Sequence, residues 1–202
     1  MQWQRLDRDT TLKTIQSVRS LTDAGLFSPV TSEVKKAMLS FYNGVELFKL
    51  TNFASLPSFT FEYLGDGLRY HYLDGTAEPI YTVNDKGHLL LNERSVVDYL
   101  DFFMSHVIDD EDETVFINNP YDMPLLQSLE PSSIDALLRN HKMPSVSYDA
   151  GFDKHTVEAD IYTEGHIMRA KIEVNAAGRV EIVDRQMVLN SIAHSAQSGI
   201  MA

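Results

Sequence analysis

Residues 157–174 read VEADIYTEGHIMRAKIEV, and this stretch decides the fold class. Apolar and polar residues alternate on both sides of Glu164-Gly165, most clearly where Met168, Ala170 and Ile172 alternate with charged residues. A period of two is typical of a half-buried β-strand, and the central glycine favours a turn. The stretch therefore predicts an antiparallel hairpin that packs one face against a core.

Similar signals extend the prediction along the chain. Apolar residues spaced three and four apart predict helices over 9–24, 31–42, 95–107 and 132–141, and Asp184 is expected to cap a last helix through Ile192. Alternation predicts strands over 45–50, 114–117, 157–162, 168–174 and 180–182, and hairpins over 58–73 and 80–91. These elements predict an α+β protein with a mainly antiparallel sheet and packed helices.

Two segments of the chain resemble each other without a gap. Residues 83–97 read VNDKGHLLLNERSVV, and residues 174–188 read VNAAGRVEIVDRQMV. Both contain an Asn-x-x-Gly turn and an arginine at the predicted junction of strand and helix, which is the pattern that two similar strand–strand–strand–helix lobes would produce. We expect an N-terminal lobe at 1–110 and a C-terminal lobe at 111–202, with one continuous domain as the alternative. Any two hairpins also share Asn and Gly at their turns for steric reasons.

The composition narrows the classes of partner. The 202 residues include 29 acidic and 17 basic ones, giving a formal net charge of −12. Such a surface repels phosphate backbones, so nucleic-acid binding is not expected, whereas association with a basic protein would be accelerated. Solubility alone also accounts for this charge.

Cysteine is absent from the chain, and so are the common signals for export and for membrane insertion. Disulfides, thiolate metal sites and cysteine nucleophiles are thereby excluded. No signal-peptide pattern follows Met1, and no apolar stretch approaches the roughly 20 residues that span a bilayer. We therefore expect a cytoplasmic protein without membrane association.

The motifs of common catalytic, metal and cofactor sites are missing. The seven histidines form no His-x-x-x-His pair, and there is neither a Gly-Lys-Ser/Thr loop nor a Gly-x-Ser-x-Gly elbow. The acidic run DDEDE at 109–113 lacks the glycine of a calcium loop, so a solvated loop or a docking surface for a basic partner is expected there. We predict no metal, no cofactor and no catalytic residue.

Three residues remain as candidates for ligand binding. His71 lies on the second strand of the predicted hairpin at 58–73, Arg94 lies before the helix at 95–107, and His166 lies between the Glu164-Gly165 turn and the predicted strand at 168–174. If they converged in the concavity of the sheet, they would support a small-molecule sensor or a small enzyme. An internal ion pair or carbonyl contact is the structural explanation for Arg94.

Residues 31–106 resemble the SMI1/KNR4 (SUKH) family of immunity proteins. The resemblance rests on a predicted helix that ends at Asn43-Gly44, on the tyrosine-rich stretch Tyr70-His71-Tyr72, and on the segment SVVDYL at 95–100. It covers less than half of the chain, and residues 114–202 have no counterpart in the family pattern. The resemblance implies a protein that binds and neutralises a toxin and that has no catalytic residues.

These observations favour a non-enzymatic protein-binding protein, for which a basic toxin would be one possible kind of partner. A small-molecule sensor or small enzyme is the second hypothesis, and a structural subunit of a larger assembly is the third. The oligomeric state is not predicted.

Overall fold

The computed structural model describes residues 1–21, 26–108, 114–123, 126, 130–163 and 165–190. The chain divides into two compact units, unit 1 at Met1–Leu90 and unit 2 at Leu91–Ala202. Each unit contains one five-stranded sheet in which every strand pairing is antiparallel. The predicted α+β class with antiparallel sheets is therefore confirmed.

Unit 1 is a meander with helices added. Its strands are β1 (Trp3–Arg5), β2 (Ser32–Met38), β3 (Glu46–Asn52), β4 (Phe59–Gly65) and β5 (Tyr70–Tyr72). They lie side by side in chain order. Its helices are α1 (Arg8–Val18) and α2 (Glu78–Val83), and a single π-helical turn, Asn84–His88, follows α2.

The core of unit 1 joins α1 to one face of this sheet. Asp7 caps α1 by accepting a hydrogen bond from the Thr10 backbone N–H at 2.9 Å. The buried side chains of this cluster are Ile15, Val18, Phe27, Val34, Phe48, Leu50, Tyr63 and Tyr70. Because His71 lies between Tyr70 and Tyr72 on β5, its side chain projects from the opposite face of the sheet.

Unit 2 contains longer strands. Its sheet is formed by β6 (Val115–Ile117), β7 (Ser145–Asp149), β8 (Lys154–Thr163), β9 (His166–Asn175) and β10 (Val180–Asn190). The order is β10-β9-β8-β6, with β7 paired to the first half of β8. Its helices are α3 (Ser95–His106) and α4 (Pro131–Asn140), and a 3₁₀ turn is present at Pro120–Asp122.

Residues 157–174 form the centre of unit 2. β8 and β9 pair over ten residues each, from Lys154 opposite Asn175 to Thr163 opposite His166. Ile161 and Ala170 are buried on one face, and Ile167 belongs to a cluster on the other, with Ile117, Met123 and Leu137. Burial on both faces explains why this hairpin anchors the unit.

The predicted helix over 31–42 is wrong, because residues 32–38 form β2. Val34 and Ala37 are both buried, and their spacing of three imitates the face of a helix. They lie on opposite faces of a strand that is covered on both sides, and seven registered pairs join β2 to β3. Sheet pairing decided this segment, which local periodicity could not reveal.

The predicted hairpin over 80–91 is also wrong, since it begins with α2. Ile80 and Val83 are both buried on one helical face, and Pro79 lies in the first turn. Gly87 ends the π-helical turn with a φ of 80°. The Pro79 signal was available in the sequence and indicates a helix start.

The predicted last helix from Asp184 is wrong as well, because β10 continues to Asn190. Register shifts between Ile182 and Asp184 and between Met187 and Leu189 interrupt the alternation. Such bulges hide a strand from a search for strict period two. Ile192 lies outside the described residues.

These differences remove the predicted repeat. Residues 83–97 contain the end of α2, a π-helical turn and the start of α3, whereas residues 174–188 contain a strand, a turn and a second strand. Within the described residues, the two predicted lobes therefore do not share a strand–strand–strand–helix plan. Helix α3, which the expected boundary at residue 110 assigned to the N-terminal lobe, belongs to unit 2 in the observed division.

Several expectations fall on residues that are not described, among them the acidic run at 109–113 and the turn residue Glu164. No helix in the described part of the chain combines the length and the apolar character needed to cross a bilayer.

Candidate functional site

A half-open cleft of about 230 Å³ lies in unit 1, beside the turn that joins β4 to β5. The turn, β5 and the π-helical turn after α2 supply its polar side chains. Its lining residues are Val45, Gly65, Asp66, Arg69, His71, Val83, Lys86 and His88. The cleft is thus lined by two basic side chains, two histidines, one carboxylate and two valines.

The turn between β4 and β5 has a fixed geometry. Asp66 Oδ1 accepts hydrogen bonds from the backbone N–H groups of Leu68 at 2.8 Å and Arg69 at 2.7 Å. The Arg69 N–H contributes most to holding the pKa of Asp66 below its usual value. A Cβ on Gly65 would lie 2.7 Å from the Tyr70 ring, so only glycine fits there without a shift. The Asp66 side chain therefore stabilises the turn through the two hydrogen bonds that its Oδ1 accepts.

A lysine–histidine pair forms the other wall of the cleft. The Lys86 ammonium donates a hydrogen bond to His71 Nε2 at 2.8 Å. Partial burial, and then the nearby Lys86 charge, keep the pKa of His71 below its ordinary value of 6.5. His71 is consequently a neutral imidazole near pH 7 with its proton on Nδ1.

His88 completes this wall from the end of the π-helical turn. Its Nδ1 lies 3.0 Å from the Asn43 carbonyl oxygen, and a carbonyl can only accept, so Nδ1 carries the proton. The other ring nitrogen of His88, Nε2, is the one that can form a hydrogen bond with a ligand.

A second candidate surface lies in unit 2, at the tip of the hairpin formed by β7 and β8. Phe152 is 78% exposed and Tyr148 is 47% exposed. The Tyr148 hydroxyl donates to Asp153 Oδ1 at 2.6 Å, and Asp149 Oδ1 accepts from the Gly151 N–H at 2.8 Å. We call Tyr148, Asp149, Phe152 and Asp153 the hairpin tip.

Unit 2 also contains a buried charged cluster, which joins β8, β9 and the end of α4. Asp160 is fully buried, and its Oδ1 accepts from Arg169 Nε at 3.0 Å and pairs with a terminal nitrogen of the same guanidinium at 2.9 Å. Its Oδ2 accepts from His141 Nδ1 at 3.0 Å and from the Lys142 N–H at 3.1 Å. These contacts satisfy the buried carboxylate and join the end of α4 to the sheet.

The three candidates from the sequence are divided between the two units. His71 lies in unit 1, whereas Arg94 and His166 lie in unit 2. Within unit 2, Arg94 is an exposed residue before α3, and its neighbour Glu93 is close enough to His155 to affect the pKa of that histidine. His155 and His166 lie at opposite ends of β8 and β9, so Arg94 and His166 are far apart.

Individual environments explain these two residues. Arg94 donates its backbone N–H to Asn92 Oδ1 at 2.9 Å at the start of α3, and no ion pair of its guanidinium is found among the described residues. His166 begins β9, and its buried Nδ1 has no hydrogen-bond partner in the described part of the chain.

The structure also adds residues that the sequence did not single out. Arg69, Lys86 and His88 join His71 in the cleft, and Phe152 becomes prominent at the hairpin tip. The signals in the sequence were modest: Arg69 and Lys86 are isolated cations near turns, and Phe152 is an aromatic residue beside glycine and aspartate.

Among the described residues, no group of three or more histidine, aspartate or glutamate side chains is arranged to hold a metal ion. Comparisons of the chain with protein-family models, with curated proteins and with solved structures find no match.

Proposed function

We propose that the chain is a non-enzymatic protein-binding protein that docks a basic partner on the hairpin tip of unit 2. The observation that carries the proposal is the exposure of two aromatic side chains, Phe152 and Tyr148, each next in sequence to an aspartate, Asp153 and Asp149 respectively. Aromatic residues are enriched at the centres of protein interfaces.

The distribution of charge supports a basic partner for unit 2. Residues 1–90 contain ten acidic and nine basic side chains, whereas residues 91–202 contain nineteen acidic and eight basic ones. The formal charge is therefore −1 in unit 1 and −11 in unit 2. Because the excess is confined to one unit, it would attract a cationic surface toward that unit and accelerate association.

The internal contacts of the hairpin tip support a role in binding. The hydrogen bond from Tyr148 to Asp153 fixes the tyrosine ring, which also lies 4.8 Å from the His155 ring. The Lys154 ammonium lies 5.5 Å from the centre of the Phe152 ring. A surface that is ordered before binding loses less conformational entropy in the complex.

The test is affinity capture from the source cells with the full chain as bait. We expect a basic protein whose recovery falls as salt rises, and Phe152→Ser should weaken its binding by about tenfold or more. Phe53→Ser is the matched control, since Phe53 is a 61% exposed phenylalanine of unit 1. A basic toxin of the kind that the SUKH resemblance implies would be one such partner.

Two outcomes would reject the proposal. The first is a partner bound equally well by wild type and by Phe152→Ser. The second is a partner whose binding is unaffected by the double variant Asp149→Asn, Asp153→Asn and by salt.

A small-molecule sensor is the second candidate function, and the cleft around His71 is the observation that favours it. It would operate in unit 1, and so it is compatible with protein binding by unit 2.

A further inference from the structure

We propose that the cleft of unit 1 binds a small organic phosphate, with Arg69 and Lys86 holding the phosphoryl group and Val45 and Val83 contacting its carbon part. This inference does not depend on the hairpin tip, because all the residues that line the cleft belong to unit 1.

The charges that line the cleft favour an anion. The two basic side chains, Arg69 and Lys86, outnumber the one carboxylate among the lining residues, Asp66, whose Oδ1 accepts from two backbone N–H groups. Arg69 is exposed and has no ion-pair partner within 4.0 Å among the described residues. An arginine fork and a lysine point charge together suit a phosphate group.

The protonation state of His71 should respond to a phosphate in the cleft. His71 is neutral because burial and Lys86 disfavour its charged form. A dianionic phosphate beside it would draw the Lys86 ammonium toward itself and favour protonation of His71. Asp66, Arg69, Lys86 and His88 are the other charged or titratable side chains that line the cleft.

The size and the walls of the cleft limit the ligand. A volume of about 230 Å³ lies below the roughly 300–1,000 Å³ that is typical of sites for drug-sized ligands. A phosphoryl group with a few carbon atoms fits this volume, and the two valines provide apolar contact for those atoms. A nucleic acid is not expected, since unit 1 carries a formal charge of −1.

The experiment is a titration of the full chain with phenyl phosphate, followed by NMR of the histidine side chains and by calorimetry. We expect saturable binding with a Kd on the order of 1 mM or tighter and a shift of the His71 resonances. Arg69→Met and Lys86→Met should each weaken binding about tenfold or more, because each removes a charge-assisted contact. Both residues are exposed, so the fold should tolerate the changes.

The matched control is Lys13→Met, which removes the same charge from an exposed position on α1. Binding should be unchanged in this variant. The proposal is overturned if Lys13→Met weakens binding as much as Lys86→Met, if benzoate binds as tightly as phenyl phosphate, or if no saturation is seen at about 10 mM. Inorganic phosphate binding as tightly as phenyl phosphate would overturn the role assigned to the valines.

Discussion

Replacing Asp160 by Asn should destabilise unit 2 by about 3–5 kcal/mol, which is the usual effect of breaking a buried ion pair from one side. The carboxylate is fully buried and accepts from the Arg169 guanidinium, the His141 ring and the Lys142 N–H. An amide keeps one acceptor oxygen and turns the other into a donor that faces donors. The Arg169 side chain is only 25% exposed, so its charge would lose its partner in a poorly solvated position.

The matched control is Glu158→Gln. Glu158 lies two residues earlier on β8, on the same face of the strand, and is exposed. Its neutralisation should change stability by no more than about 0.5 kcal/mol. The double variant Asp160→Asn, Arg169→Met should recover part of the loss, because it leaves no buried charge without a partner.

The assay is urea denaturation, followed by amide hydrogen exchange within β8 and β9 and by Trp3 fluorescence. Trp3 is the single tryptophan and belongs to unit 1, so its signal reports on a different part of the chain from the exchange data. A total stability of about 5–15 kcal/mol is normal for a domain, and the expected loss is a large part of it. A loss below about 1 kcal/mol for Asp160→Asn would refute the reasoning that this carboxylate is the centre of the cluster.

Two smaller effects follow from single contacts. Tyr99→Phe removes a buried hydroxyl that donates at 2.6 Å to a backbone carbonyl, so unfolding should become easier by about 1–2 kcal/mol, while Tyr121→Phe at an exposed position should have little effect in the same denaturation assay. Lys86→Met should raise the pKa of His71 toward 6.5, as followed by NMR titration, because it removes a positive charge and a donor to the neutral ring. An unchanged pKa would contradict this account, and Lys13→Met should leave it unchanged. Since His71 binds its proton less tightly in the folded chain than in the unfolded one, its titration lowers stability as the pH falls below about 6.5.

Most residues of the cleft in unit 1 could not be predicted, because the cleft is formed by segments that are distant in the sequence and close in the folded chain. His71 was a candidate by residue type alone, and its partner Lys86 lies fifteen positions later, beyond an element that was expected to be a strand. Only the helical course of α2 brings the two side chains within 2.8 Å. The sequence also could not show that Arg94 and His166 lie far apart within unit 2, since nothing local in it reveals which strand ends are neighbours.

The amino-acid sequence by itself determined the α+β class, the central hairpin of β8 and β9, helix α3 and the acidic balance, because each is written in local periodicity or in composition. Only the tertiary structure decided that residues 32–38 form a strand, that bulged β10 continues the sheet, and that the negative charge is concentrated in unit 2. The physical reason is that pairing between strands and burial on two faces are long-range interactions, and they override the local preference of a short segment.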